Sequence, residues 1–157
     1  MTRPRPQPSS ELASRRMKNT ASRDTPPELA LRRRLHAMGF RYRVDTRPVA
    51  AMRRTADIVF RPCSVAVFVD GCFWHSCPVH GSKPKSNAQW WSEKLAANVQ
   101  RDRDTDKRLA EAGWEVVRVW EHEDPAEAAS HIAEVVLAAR GRTVDRITSR
   151  DPSFPGP

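Results

Sequence analysis

Long apolar runs are missing from this 157-residue chain, and cysteine is scarce. No stretch approaches the ~18–20 consecutive apolar residues a membrane span needs, and the positive N-terminus is not followed by the apolar segment of an export signal. Three cysteines cannot complete a set of disulfides, and two of them, Cys72 and Cys77, stand among histidines. That combination points to metal chemistry in a reducing, cytoplasmic setting rather than to a secreted disulfide scaffold. Apolar periodicity is also absent from residues 1–24, where Pro4, Pro6 and Pro8 precede a polar, basic stretch that cannot bury much on its own.

What is present in excess is positive charge, and it is unevenly placed. The whole chain carries a formal net charge of +8. Residues 1–56 hold 14 Lys and Arg against 4 Asp and Glu, whereas residues 57–157 hold 13 against 15. A basic front half on a near-neutral body suits a polyanion, most simply nucleic acid. The length fits one domain, and a compact fold of this size hides roughly 68–70% of its unfolded surface.

The punctuation predicts the order α-β-β-β-α-β-α, a small three-layer α/β domain. Thr25-Pro26-Pro27-Glu28 offers an N-cap, a proline at the first helical position and a capping-box glutamate. Leu31, Leu35 and Met38 follow at helical spacing, and Gly39 supplies a left-handed stop. Strands are expected at Phe40–Val44, Ala56–Phe60, Val65–Val69 and Trp114–Trp120; the third is apolar throughout, as in a strand covered on both faces. Helices are expected over 88–112, with Leu95, Val99 and Leu109 inside, and from Asp124-Pro125-Ala126-Glu127 to about Arg140.

The chemically dense segment is Asp70-Gly-Cys-Phe-Trp-His-Ser-Cys-Pro-Val-His80. Cys72, Cys77 and His80 have the short spacing of a thiolate–imidazole zinc site, which needs a fourth ligand. His122 and His75 are the two candidates, and an ordinary loop with two free cysteines is the alternative to a metal. Cys63 reads as a small buried hydrophobe. Asp57 lies in an apolar strand, where a carboxylate is costly unless it meets a proton, a cation or hydrogen-bond donors. With Asp70 and Glu28 it would make a hard-cation site for Mg2+, the usual apparatus of phosphoryl displacement, with His75 as general base. Phe73 and Trp74 sit in a loop between metal ligands, and Trp90 and Trp91 point about 100° apart on a helix, so one of them faces the core poorly. Loop aromatics in a basic protein can wedge between base steps; Trp114 and Trp120 read as core.

These strings resemble the very-short-patch-repair (Vsr) mismatch endonucleases. The resemblance runs from about Arg15 to about Asp124. It rests on RMKNTASRDTPPE, on ADIVF followed by VAVFVDGCFWHSCPVH, on WWSEKLAANVQRDRDTDKRLAEAGW and on VVRVWEHE. It implies a restriction-endonuclease-like α/β core with a structural zinc. It also implies nicking of double-stranded DNA on the 5′ side of the thymine in a T:G mispair, the product of 5-methylcytosine deamination inside a methyltransferase's site. By position, the resemblance makes Asp57 the Mg2+-binding aspartate, helped by the backbone carbonyl of Val69. His75 matches the catalytic histidine, Glu28 the helix glutamate, and Cys72, Cys77, His80 and His122 the zinc set. Phe73, Trp74 and Trp91 match intercalating aromatics, and Arg15, Arg16, Met17, Lys18 and Arg23 lie in the segment resembling an arm that clasps DNA. Asp70 stands where the best-known member has a histidine, which leaves its catalytic duty open between metal ligand and orienter of a water. His122 stands where that member has a cysteine. The lysine that the wider nuclease superfamily carries two residues after the Asp70 position is absent.

The domain plan expected is a disordered tail over 1–14, one endonuclease domain over 15–140 with the arm at 15–24, and a second tail over 141–157. A monomeric, cytoplasmic, nucleoid-associated enzyme is expected, coupled in function to a cytosine-5 methyltransferase and mismatch-repair proteins. The alternatives are a general nuclease of the same fold, a non-catalytic zinc module that binds DNA, and a redox protein using Cys72 and Cys77.

Overall fold

Alternating side chains put four strands into one sheet. In the computed structural model the described residues are 4, 7, 10–18 and 23–150, the side chains of 13, 16–18 and 147–150 excepted. The elements are α1 (Glu11–Lys18), α2 (Pro26–Ala37), β1 (Arg43–Thr46), β2 (Ala56–Phe60), β3 (Val65–Asp70), α3 (Ala88–Glu111), β4 (Glu115–Trp120) and α4 (Pro125–Arg150), with a 3-10 turn over Arg61–Cys63. The sheet order is β1-β2-β3-β4. The first three strands pair antiparallel, and β4 joins β3 in parallel after the α3 crossover.

Each face of the sheet has its own core. Ile58, Phe60, Val65, Val67, Val117 and Val119 meet Leu31 and Leu35 of α2 and Ile132 and Val136 of α4. On the other face Val59, Ala66 and Phe68 meet Leu109 of α3, with Trp114 and Val116 packed against them. The apolar run of β3 is therefore central and covered on both sides, as its composition predicts. This is a mixed α/β three-layer arrangement that fits the restriction-endonuclease-like core expected. Among the described residues no helix is long and apolar enough to cross a membrane.

Local expectations hold or fail for identifiable reasons. Gly39 (φ 91°) ends α2, with the Phe40 N–H bonded to the Leu35 carbonyl at 3.0 Å. Asp124 caps α4 through the N–H groups of Ala126 and Glu127 at 2.8 and 3.1 Å. Cys63 is buried, as expected. The first strand is displaced to Arg43–Thr46 because Phe40 and Tyr42 pack edge-on against Phe60 and pairing starts only at Arg43, opposite Val59. Met38 is 48% exposed, since α2 has already ended there. Thr25 makes no side-chain cap, and Glu28 turns inward to Arg32 instead of back to the helix start.

The two tails need correction where they are described. Residues 11–14 are helical, as part of α1, and α4 runs on to Arg150. A glycine inside a helix costs only about 1 kcal/mol against alanine, so Gly141 does not stop it. Arg142 pairs with Glu115 of β4, and the Thr143 hydroxyl donates to the Ala139 carbonyl at 3.0 Å, which holds this extension on the body. Residues 151–157 and most of 1–9 lie outside the described residues.

Candidate active site and a cysteine–histidine cluster

Strand alternation decides which polar residues face α3. Asp57 on β2, Asp70 on β3 and Arg118 on β4 share that side of the sheet with Phe68 and Val116. The antiparallel register, with Ile58 opposite Val67, brings the start of β2 beside the end of β3. The Val69 N–H donates to Asp57 Oδ2 at 2.7 Å. An open cleft of about 520 Å³ results, lined by Glu28, Asp57, Asp70, His75, Asp102 and Arg118 among others.

Negative charge is concentrated there. Burial pushes the Asp57 carboxyl up to about 6, and the charges of Glu28 and Asp70 add to the rise against the Val69 hydrogen bond. Glu28 is only 5% exposed and takes Arg32 at 3.2 Å. Burial likewise raises Asp70, partly offset by Arg118 and His75. The Arg118 Nη1 group donates to both Asp70 oxygens at 2.9 and 3.0 Å. Its other edge donates to Asp106 of α3.

His75 turns toward α3. Its Nδ1 lies 2.6 Å from Asp102 Oδ2 and 3.7 Å from Asp70 Oδ1. Asn98, one turn before Asp102, donates to the Trp74 carbonyl at 3.1 Å and pins the loop. His75 is thus excluded as the fourth member of the sulfur site and held as a potential base. Asp102 and Arg118 were not singled out by sequence reasoning, though both left a trace. Asn98, Asp102, Thr105 and Leu109 fall on one helical face, which marks the first two as inward. Arg118 is the lone cation in the apolar strand Trp114–Trp120, a position that demands a buried partner.

The second cluster is built from the loop after β3 and the turn after β4. One ligand atom from each of Cys72, Cys77, His80 and His122 lies within 4.8 Å of the others. His122 Nδ1 is 3.1 Å from Cys72 Sγ and 3.8 Å from Cys77 Sγ. Glu121 fixes the cluster to β4 by accepting the Cys72 N–H at 2.8 Å. Burial and the neighbouring Cys77 sulfur push the Cys72 thiol up to about 11; a dication among the four is what would let both sulfurs ionise. The loop closes tightly at Gly81, where a Cβ would meet the Cys77 carbonyl oxygen at 2.4 Å. Two sulfurs and two imidazoles in this grouping fit a tetrahedral structural zinc.

Between the two clusters lie the aromatics. Phe73, Trp74 and Trp91 contact one another with ring centroids 5.1 to 5.9 Å apart, and Trp90 sits edge-on to Trp91 at 4.9 Å. All four are half-buried. Trp120 is not a core residue: it is half-buried and stacks beside His122, with an interplanar angle of 14°. Of the arm residues, Arg15 is exposed and Arg23 pairs with Asp24 and Asp45 at 3.3 and 3.2 Å. The side chains of Arg16, Met17 and Lys18 lie outside the described residues.

Comparison with known proteins gives this geometry a lineage. The family model described as "DNA mismatch endonuclease Vsr" matches residues 9–80. The type II nicking enzyme V.NaeI of Lentzea aerocolonigenes is 44% identical over 133 residues, covering 83% of this chain and 80% of that protein. The chain belongs to the Vsr family. Further Vsr relatives include the type II nicking enzyme V.XorIIP of Xanthomonas oryzae pv. oryzae, 40% identical over 68% of this chain and 77% of its own length. The DNA mismatch endonuclease Vsr of Escherichia coli K12 is 37% identical over 69% of this chain and 68% of its own. The protein is accordingly a DNA endonuclease. Asp102, Arg118 and His122 lie past the end of the family match.

Proposed function

We propose that this endonuclease nicks one strand of double-stranded DNA on the 5′ side of the thymine in a T:G mispair, by Mg2+-dependent hydrolysis of the phosphodiester. The observation that carries the reading is one cleft in which the half-buried carboxyl of Asp57 stands with a His75–Asp102 pair, while the residues just before His75 are the aromatics Phe73 and Trp74. Hydrolysis and mismatch sensing would then be mounted on the same loop.

Asp57 fits a divalent cation because its carboxyl is held up near 6 by burial and by Glu28 and Asp70, a repulsion that a cation relieves. Asp57 and the Val69 carbonyl would hold Mg2+, which when bound supplies positive charge against the scissile phosphate. The chain's own residues do the rest. Asp102, accepting from His75 Nδ1, keeps the other ring nitrogen bare, so that Nε2 takes the proton of the attacking water. The water oxygen bonds to phosphorus, the bond to the 3′ oxygen breaks, and that oxygen leaves as a 3′-hydroxyl after protonation from solvent, with the phosphate on the 5′ end.

Selectivity is assigned to Phe73, Trp74 and Trp91. A mispair costs less to unstack than a paired step, so an aromatic wedge converts weak stacking into preference. Zinc at Cys72, Cys77, His80 and His122 performs no chemistry in this scheme and holds the loop that carries Phe73, Trp74 and His75. The basic front half, with Arg15, Arg16, Met17, Lys18 and Arg23 in its arm, supplies backbone contacts. The setting proposed is a monomer in the cytoplasm, associated with the nucleoid and coupled in function to a cytosine-5 methyltransferase and mismatch-repair proteins.

A nicking assay on duplexes that differ only in one T:G or C:G pair, placed in several methyltransferase-like contexts with Mg2+, tests the reading. Nicking of the T strand alone, lost in Asp57→Asn, is the expected result. Equal cutting of both duplexes would make the chain a nuclease of the same fold that is indifferent to mismatch. Binding without cutting would leave a zinc-containing DNA-binding module.

A further inference from the structure

Five carboxylates line the cleft, those of Glu28, Asp57, Asp70, Asp102 and Glu121. A DNA strand that enters it therefore needs cations that are not already taken. The wall holds three arginines, Arg54, Arg101 and Arg118. Arg118 is spent inside the protein, on Asp70 and Asp106 at 2.8 to 3.0 Å. The other two are not. Among the described residues no hydrogen bond or ion pair engages the Arg101 side chain, which is exposed on α3. Arg54, in the loop before β2, donates from Nε to the Thr105 hydroxyl at 3.1 Å, and its Nη2 stands 3.7 Å from Asp104 Oδ2, outside hydrogen-bond reach. Thr105 ties the two positions together: it is 3% exposed, and its hydroxyl also donates to the Arg101 carbonyl at 2.8 Å. With Nε anchored, both Nη groups of Arg54 remain for an outside acceptor.

Helix α3 sets an order along the cleft. Trp91 stands near its start with Phe73 and Trp74, Asp102 takes His75, and Thr105 takes Arg54. At about 1.5 Å per residue, Thr105 lies about 4.5 Å beyond Asp102, and Trp91 about 16 Å before it. His75 is thus placed between the aromatics on one side and the arginines on the other. Under the proposed function the aromatics meet the mispair, whose thymine is on the 3′ side of the cut. A strand laid along this order passes the arginines on its 5′ side. Guanidinium forks match phosphate oxygens and stay charged at any working pH, and such contacts fix the register of a duplex rather than read its sequence.

We propose that Arg54 and Arg101 form a phosphate clamp on the 5′ flank of the cleavage site, gripping the phosphate next to the scissile one on the strand segment that ends in the 3′-hydroxyl. The clamp sets which phosphodiester lies at His75, while the aromatics choose the base pair. The assignment rests on reading Phe73, Trp74 and Trp91 as the mispair contacts, because that reading fixes the direction of the strand.

Duplexes that carry one neutral methylphosphonate at successive positions around the cut test this by binding alone, on the full chain in Mg2+-free buffer. Wild type should bind about tenfold more weakly when the phosphate one step 5′ of the scissile one is neutral. Arg54→Gln with Arg101→Gln should weaken binding of the unmodified duplex by a similar factor, and the same methylphosphonate should then cost less than about twofold. T:G and C:G duplexes should lose equally, and the slope of log K against log salt should shrink by about one. A full penalty that survives in the double variant, or a penalty removed only on the 3′ side, would overturn the clamp. Where the Arg54 substitution lowers the melting temperature, Arg101→Gln alone is read in the same cycle, since its side chain has no internal bond to lose. Wild type that binds T:G and C:G duplexes alike, while the cycle holds, would remove the mismatch reading and leave the clamp, its position counted from the mapped cut.

Discussion

The cleft and the cysteine–histidine cluster lie on either side of one loop, yet they are organised by opposite means. The cleft is set by regular structure: Asp57, Asp70 and Arg118 project from strands, Asp102 and Asp106 from α3, and their contacts are internal hydrogen bonds and ion pairs. The cluster is set by a loop and a turn with little regular structure, and one potential ligand atom from each of its four residues lies within 4.8 Å of the others. A site supported by strands and a helix can lose a functional group and keep its shape. A site whose loop is closed around a shared ion loses its shape with the ion.

The largest expected effect therefore falls on the cluster. Cys77→Ala, or removal of zinc by a chelator, should loosen the loop from Cys72 to Gly81 and cut stability by several kcal/mol. The ceiling is about 10–16 kcal/mol, the figure for small zinc modules that have no other core. Thermal unfolding of both proteins with and without chelator reads this, and equal melting temperatures would remove the claim of a structural metal. His75→Ala comes next and behaves in the opposite way. Nicking should fall about 10²- to 10⁴-fold, the contribution of a positioned base, while melting temperature and DNA binding stay near wild type. A His75→Ala protein that melts like Cys77→Ala would erase the distinction between the two regions.

Two smaller effects sharpen it. Asp57→Asn, besides ending activity, should stabilise the Mg2+-free protein. The Asp57 carboxyl titrates near 6 in the fold against 3.8 when free, so folding favours its protonated form. That contribution is present at low pH and lost as pH rises from about 4 through 6, on the order of 1 to 3 kcal/mol for a half-buried group. Melting curves in Mg2+-free buffer should thus show wild type falling behind Asp57→Asn as pH rises from about 4 through 6, with a steady gap above that; parallel curves across that range would contradict the electrostatic reading. Gly81→Ala should cost about 1–3 kcal/mol, because the added Cβ meets a backbone oxygen rather than a yielding side chain. Limited proteolysis of the loop checks whether the damage stays local.

How legible each region was follows from how far apart its parts lie in the chain. Cys72, Cys77 and His80 are spaced closely enough to be read together, and Asp57 betrays itself as a carboxylate in an apolar strand. The strands at 56–60 and 65–70 and the helix at 88–111 follow from alternation and helical spacing. Met38, Trp120 and Gly141 depart from the local pattern because periodicity does not say where a helix end, a strand end or a helix extension meets the rest of the fold. Thr25-Pro-Pro-Glu28 carries a capping signature, but the cleft draws Glu28 inward to Arg32.

What the sequence determined by itself was the chemistry on offer: a basic front half, a thiolate–imidazole loop, an aspartate set in apolar company and a histidine flanked by aromatics. Those are properties of short segments, and short segments carry them. Only the tertiary structure decided which groups meet. His122 joins Cys72 across 50 residues, His75 takes Asp102 across 27, and Arg118 takes Asp70 across 48. The first and third of these pairings depend on β4 returning beside β3, and the second on α3 lying against the sheet during that crossover, placements set by the packing of two cores rather than by any local pattern.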